Sequence, residues 1–353
     1  MKRKFFAVLF CLFIFAVAVG CSTNEPEIYE PTEPTVFEPY EIITEDEPYE
    51  PEEIEEIGEP EETVEPEEPA PPDFSAYPQF HMTILHTNDW HGIMDNVPMY
   101  ATLVREIRAE RENVLLLDGG DIYRRGPLES LQGAAEIAVM NAMGYDALVL
   151  GNNEFPRTDE YLLNIADHII LQLAEFPILT ANMTLNGEYV VGVDPYIIVT
   201  MQPDIEIAII GVTSPKPWDR NFEFTERYLF ECPIAVVARY AEKTSEYTDI
   251  QIALSHAGVP IERQMRGVSA IIGADDHRIL REPIVIYDGD QRIPLVQAGG
   301  ERTHYLGQLD LYYAYIDGEW ILFDFYGRLL SVEGVEPCEE IQAIIDYYTA
   351  LIE

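Results

Sequence analysis

Seven short apolar runs rich in β-branched residues punctuate the chain beyond residue 80: MTILHTN, NVLLLDGG, DALVLGNN, FPILTANM, IEIAIIGVT, IQIALSHAG and SAIIGADD. Most close on Gly, Asn, Asp or His, the residues at which a buried strand gives way to a turn. Between them, Pro98 to Glu112, Leu128 to Met143 and Asp159 to Leu173 carry apolar residues at helical spacing, and a last helix is predicted over Glu336 to Tyr348. Strands that are apolar on both faces, separated by amphipathic helices, predict an α/β sheet with its helices outside. Ligands of such sheets gather at the carboxyl ends of the strands.

The first 79 residues follow different rules. Lys2, Arg3 and Lys4 precede an apolar stretch from Phe5 to Val17, and Ala18-Val19-Gly20 leads into Cys21. The apolar run is short for a membrane span and reads as an export signal. Small residues directly before a cysteine resemble a bacterial lipobox, so residues 1–21 are expected to be a lipoprotein signal and Cys21 the lipidated residue. The mature chain would then be an extracytoplasmic, membrane-anchored lipoprotein. Residues 22–79 are predicted to form a disordered stalk: from Ser22 to Asp73 there are 21 acids, 11 prolines and no Lys or Arg. Self-repulsion and proline stiffness keep such a segment extended.

Charge narrows the function. The 353 residues hold 64 Asp and Glu against 21 Lys and Arg, a formal charge of −43. A nucleic-acid backbone rewards clustered cations, so no nucleic-acid partner is expected. Of the four cysteines, Cys232 and Cys338 remain beyond the signal. An oxidising compartment permits a disulfide between them, and two separate free thiols are the alternative.

The strand ends carry the chemistry. Asp89 and His91 follow the first run, Asp118 and Asp121 the second, Asn152 and Asn153 the third, His256 a later one, and Asp275, Asp276 and His277 the last. Carboxylate, amide and imidazole donors together suit Mn, Fe, Co or Zn rather than a thiolate site. Two such ions roughly 3.5–4 Å apart stabilise both the attacking and the leaving oxygen of a phosphoryl displacement.

ILHTNDWHG, LLLDGGD with RRGP, MNAMGYDALVLGNNEF, FPILTANM, IIGVTSP, LSHAG, IIGADDHRIL, VQAGG and YLGQLDL resemble, in order from about Met82 to Leu330, the catalytic domain of bacterial 5′-nucleotidases of the calcineurin-like metallophosphoesterase superfamily. The resemblance implies a four-layer α/β/β/α sandwich over residues 80–335, followed by the helix within 336–353. It implies two divalent metal ions and a phosphate-ester substrate attacked by a metal-activated hydroxide. Asp89, His91 and His277 resemble ligands of the first metal, and Asp121 the bridging carboxylate. Asn152 and His256 resemble ligands of the second. Where the family usually reads GHSH or GHSQ this chain reads ADDH, which puts Asp275, or Asp276 after a slip of one, at the place of a second-metal histidine.

Two further departures bear on activity. The family's GNHEFD is GNNEFP here, so the histidine and aspartate that assist the leaving group are replaced by Asn153 and Pro156. Asparagine donates a hydrogen bond but supplies no proton, and losing general-acid help costs on the order of 10²–10⁴ in rate. The resemblance also stops short of the family's C-terminal nucleoside-binding domain, which leaves Arg124 and Arg125 as the basic candidates for a phosphate. Two readings follow: a tethered phosphoesterase acting on nucleotides or related esters, and a non-catalytic metal-binding surface lipoprotein. Tyr123 is placed either to stack on a substrate or to pack, and Trp90, between two ligands, to pack or else to shape the mouth of the site. His81, His86, His168 and His304 are expected to pack or lie at the surface.

Overall fold

The computed structural model describes residues 74–155, 169–214, 228–300 and 304–353, all within the compact unit Pro69–Glu353. The expected signal, Cys21, the stalk up to Asp73, Pro156 and His168 lie outside the described residues.

In chain order the first half contains β1 (Gln79–Thr87), α1 (Val97–Glu110), β2 (Val114–Asp118), α2 (Ala134–Met143), β3 (Ala147–Val149), α3 (Ile169–Leu173) and β4 (Ile178–Leu179). A small three-stranded sheet follows, made of β5 (Met183–Leu185) and β6 (Glu188–Tyr189) with the later β9 (Tyr228–Phe230). The second half holds β7 (Tyr196–Met201), β8 (Ile205–Thr213), α4 (Pro233–Ser245), β10 (Ile250–His256), α5 (Val259–Glu262), β11 (Ala270–Ile272), β12 (Ile284–Asp288) and β13 (Gln291–Val296). The long hairpin β14 (Tyr305–Ile316) and β15 (Glu319–Ser331) and the helix α6 (Glu339–Ala350) complete it.

Two six-stranded sheets result, ordered β15-β14-β1-β2-β3-β4 and β12-β13-β11-β10-β8-β7. Each has four parallel strands: β1 to β4 in one, and β8, β10, β11 and β13 in the other. Antiparallel strands flank them, β14 and β15 on the first sheet, β12 and β7 on the second.

The period of two along each strand builds the layers. On β1, Leu85 faces outward into a cluster with Val97, Tyr100, Val104 and Ile137 of α1 and α2, while Ile84 faces inward against Ile207, Ile252 and Ile272 of the second sheet. On β8 and β10, Ile210, Val212 and Ala253 turn the other way to meet Val236, Val237 and Tyr240 of α4. The order is therefore α/β/β/α, as the resemblance implied. Truncating one of the fully buried inner residues, such as Ile84 or Ile209, to alanine would cost about 2–5 kcal/mol.

Some predicted boundaries shift. The helical stretch from Leu128 breaks at Gln132 and Gly133, which both take positive φ, leaving a single 3-10 turn at Glu129–Leu131 ahead of α2. The strand carrying His81 begins earlier than expected, at Gln79, so His81 is within β1 and stacks on Tyr312 across the pair. Cys232 and Cys338 are free thiols, each preceding a different helix, which decides between the two alternatives. Among the described residues no helix is long and apolar enough to cross a membrane.

Candidate metal centre

Parallel strands point their carboxyl ends the same way, and the turns after β1, β2, β3, β10 and β11 meet at one end of the two sheets. Gly119, just after β2, shows how closely: a Cβ there would lie 2.6 Å from the Ala274 side chain and 2.9 Å from that of Asn88, so only glycine lets the three turns touch. Its carbonyl accepts a 2.6 Å bond from His256 Nδ1, joining the first sheet to the second. That bond fixes the imidazole with Nε2 turned to the carboxylates, 3.5 Å from Asp121 Oδ2 and 3.6 Å from Asp275 Oδ1.

Around Asp89 the donors converge. His277 Nε2 lies 3.3 Å from Asp89 Oδ1 and 3.1 Å from His91 Nε2, and His91 Nε2 is 3.9 Å from both Asp89 Oδ1 and Asp121 Oδ2. Two sets have all their donor atoms within 4.8 Å of one another: Asp89, His91 and His277, and Asp89, Asp121 and His256. Asp89 is common to both, while Asp121 Oδ2 faces a histidine of each. Asp89, His91, Asp121 and His256 are buried, and Asp89 Oδ1 and His256 Nε2 have no hydrogen-bond partner. Orphaned buried donors of this kind fit a divalent cation, which would take up the lone pairs the protein leaves unused.

The backbone is bent to make this possible. Asp89, His91, Asp121, Asp275 and His277 all have positive φ, between 50° and 84°. Left-handed residues other than glycine cluster where function holds them against a local cost. The turns are tied down accordingly. Glu154, fully enclosed, accepts the backbone N–H groups of Asp121, Ile122 and Gly151 at 2.7–2.9 Å, fastening the turn after β2 to that after β3. Asn88 donates to Asp89 Oδ2 at 2.7 Å and accepts from Ala298 N at 3.0 Å. Sequence reasoning gave neither residue a role; the glutamate in GNNEF and the asparagine in TND were the only signals.

Electrostatics follow the geometry. Burial alone would lower the His256 pKa, but Asp121, Asp89 and Asp275 outweigh it and raise it well above the ordinary value. Burial would raise Asp121, yet His256 and the bonds from Asn153 hold it below the usual carboxylate range. His91 is lowered by burial, with Arg125 adding to the effect. His277 is raised by the Asp89 carboxylate beside it.

The other candidates separate. Asn153 is buried and bonds Asp121 directly, whereas Asn152 is half-buried and makes no hydrogen bond among the described residues. Asp275 reaches His256 but stands outside both donor sets, and Asp276 is turned away, taken up by Gln297 and the Val259 N–H. Arg124 does not face the cluster. Its guanidinium is buried over the Tyr123 ring and donates to the Phe155 carbonyl, so it fixes the turn after β3. Exposed Arg125 is the cation whose charge acts on His91 and His277. Trp90 and Tyr123 pack in the core, and His86, wholly buried in β1, is a neutral core residue with its pKa lowered to about 3 by burial.

Residues 82–287 match the family model described as calcineurin-like phosphoesterase, and the chain belongs to that family. A snake venom 5′-nucleotidase of Gloydius brevicauda is 29% identical over 307 residues, which is 73% of this chain and 48% of that protein. The chain spans about half the length of the venom and human 5′-nucleotidases it matches. The fold is shared with a 5′-nucleotidase precursor from Thermus thermophilus (TM-score 0.64, 22% identity, 77% of this chain and 59% of that one). It is also shared with the calcineurin-like phosphoesterase YfkN from Bacillus subtilis (TM-score 0.62, 24% identity, 78% and 98%).

Proposed function

We propose that the protein is a metal-dependent phosphoesterase that hydrolyses nucleotides or related phosphate esters outside the cytoplasm, held to a membrane by a lipid on Cys21. The observation that carries the chemistry is the pair of donor sets joined at Asp89, buried except for a partly exposed His277. In this reading Asp89, His91 and His277 hold one ion, and Asp89, Asp121 and His256 a second. Asp121, whose Oδ2 faces both His91 and His256, is the bridging carboxylate that the resemblance implied, and Asn152 and Asp275 stand at the margin of the second ion. Imidazole with carboxylate suits Mn, Zn, Fe or Co. Bound there, the ions would polarise a phosphoryl oxygen and acidify a water.

The chain's own residues supply the rest. Arg125 offers the exposed positive charge beside the histidine pair for a phosphate oxygen. Glu154 and Asn88 hold the donors in place, and His256 is kept in one orientation by Gly119. The Asn153 amide donates to Asp121 and has no proton to give a departing alkoxide.

One observation favours a second reading. Both donors of Asn153 that reach the cluster are spent on Asp121, as in a site that has given up chemistry and kept its metals. Purified protein loaded with Mn, Co, Zn or Mg and assayed on an aryl phosphate and on nucleoside monophosphates separates the two. Turnover with any metal supports the esterase; metal content without turnover on either substrate establishes the non-catalytic reading.

A further inference from the structure

Glu262 closes the short helix α5, six residues beyond His256, and is fully enclosed. Its Oε1 accepts the backbone N–H of Ala274 at 3.2 Å, across from the turn after β11. The next N–H along, that of Asp275, is given to Asp89 Oδ2 at 3.1 Å. Two successive amides are thus clamped, one by Glu262 and one by a member of both donor sets. The peptide plane from which Asp275 and His277 spring is fixed between them.

The surroundings are shaped to this carboxylate. A Cβ on Gly273 would lie 2.3 Å from Glu262 Oε2, so the residue before the clamped amide has to be glycine. Gln297 holds the Ala274 carbonyl at 3.1 Å and Asp276 at 2.9 Å, and Asp276 in turn accepts from Val259 N at the start of α5. The turn needs such bracing, because Asp275 and His277 sit at φ 84° and 54°. An enclosed carboxylate is costly to keep, and an apolar side chain would pack there at no such cost.

Resting on the metal reading above, we infer that Glu262 is a positioning residue that locks the turn bearing His277 to the turn bearing His256, so that the two donor sets keep their spacing. It touches neither ion. Partners bonded directly to ligands are typically worth about 10–100-fold in metal affinity, and Glu262, acting one step further out through the backbone of the turn, falls at the low end of that range.

The test is Mn²⁺ alone, titrated calorimetrically into the metal-free full chain. Glu262→Gln keeps an acceptor oxygen for Ala274 and should bind within about threefold of wild type. Glu262→Met, similar in length but without an acceptor, should lose about tenfold at both sites. Gly273→Ala, which displaces the carboxylate without removing it, should lose affinity in the same direction and stands in if Glu262→Met does not fold. Val236→Ala, a cavity under α4 in the same layer, should lower Tm and leave Mn²⁺ affinity unchanged. Wild-type affinity in a folded Glu262→Met or in Gly273→Ala would overturn the inference, as would a Gln variant as weak as the Met one. A wild type that takes up neither Mn²⁺ nor, in a parallel titration, Zn²⁺ or Co²⁺ would refute the metal reading itself, a result distinguishable because it precedes any variant.

Discussion

Asn153 gives both its backbone N–H and its side-chain Nδ2–H to the Asp121 carboxylate, one to each oxygen and each at 2.6 Å. The asparagine therefore occupies lone pairs of the group that faces His256 and His91. Asn153→His removes the amide bond and places a proton donor beside the leaving group. Nucleotide kcat/KM should then rise on the order of 10²-fold, and aryl phosphate turnover, whose leaving group departs unprotonated, far less. Equal change on both substrates, or none, would count against the assigned role.

Because Asp89 belongs to both donor sets and His256 to one, their variants should differ in stoichiometry. Asp89→Asn should bind neither ion well, whereas His256→Ala should keep one. Metal analysis after gel filtration reads this directly. Two ions retained in Asp89→Asn would refute the shared-ligand arrangement.

Glu136 on α2 is wholly enclosed, neither of its oxygens has a hydrogen-bond partner, and burial pushes its carboxyl up to about 7. The unfolded chain releases this proton near pH 4.5 and the folded one holds it to about pH 7. Stability is therefore lost as pH rises through that window and is not recovered above it. Glu136→Gln should match wild type near pH 4.5 and exceed it at pH 8 by about 3 kcal/mol at most. Chemical denaturation at the two pH values measures it, and an equal difference at both would show that the carboxyl does not titrate this way.

The proposed anchor is tested separately from the chemistry. Cys21→Ser should release the protein from the membrane fraction or leave its signal uncut. The acidic segment that follows is repelled by anionic headgroups and offers no second attachment. A processed, membrane-bound Cys21→Ser form would show that another tether exists.

The inner strands were readable because burial on both faces writes them as unbroken apolar runs: LLLD and IALSH show both the strand and the donor at its end. The flanking strands were not, since β12 and β15 alternate with exposed residues such as Tyr287 and Tyr326 and resemble loops until paired. Asp89, His91, Asp121, His256 and His277 stood out because each follows an apolar run. Glu154 and Glu262 did not, since a lone glutamate has no period or spacing, and its partners are backbone amides that only the folded chain brings to it. The Arg124–Arg125 pair shows the same limit: adjacent in sequence and alike in charge, one is buried against Phe155 and the other faces solvent.

The left-handed backbone at Asp89, His91, Asp121, Asp275 and His277 sets a trade between folding and use. An L side chain in that conformation costs roughly 1 kcal/mol relative to glycine. Three of the five are carboxylates gathered in low-dielectric surroundings, where without a metal the neighbouring His256 has to carry the balancing charge. The metal-free protein is thus least at ease where its chemistry is concentrated, and weakening a donor should make it fold more firmly. Glycine or asparagine at these positions would give a sturdier, inert protein. Variants selected for heat resistance alone, with metal withheld, should accumulate there first.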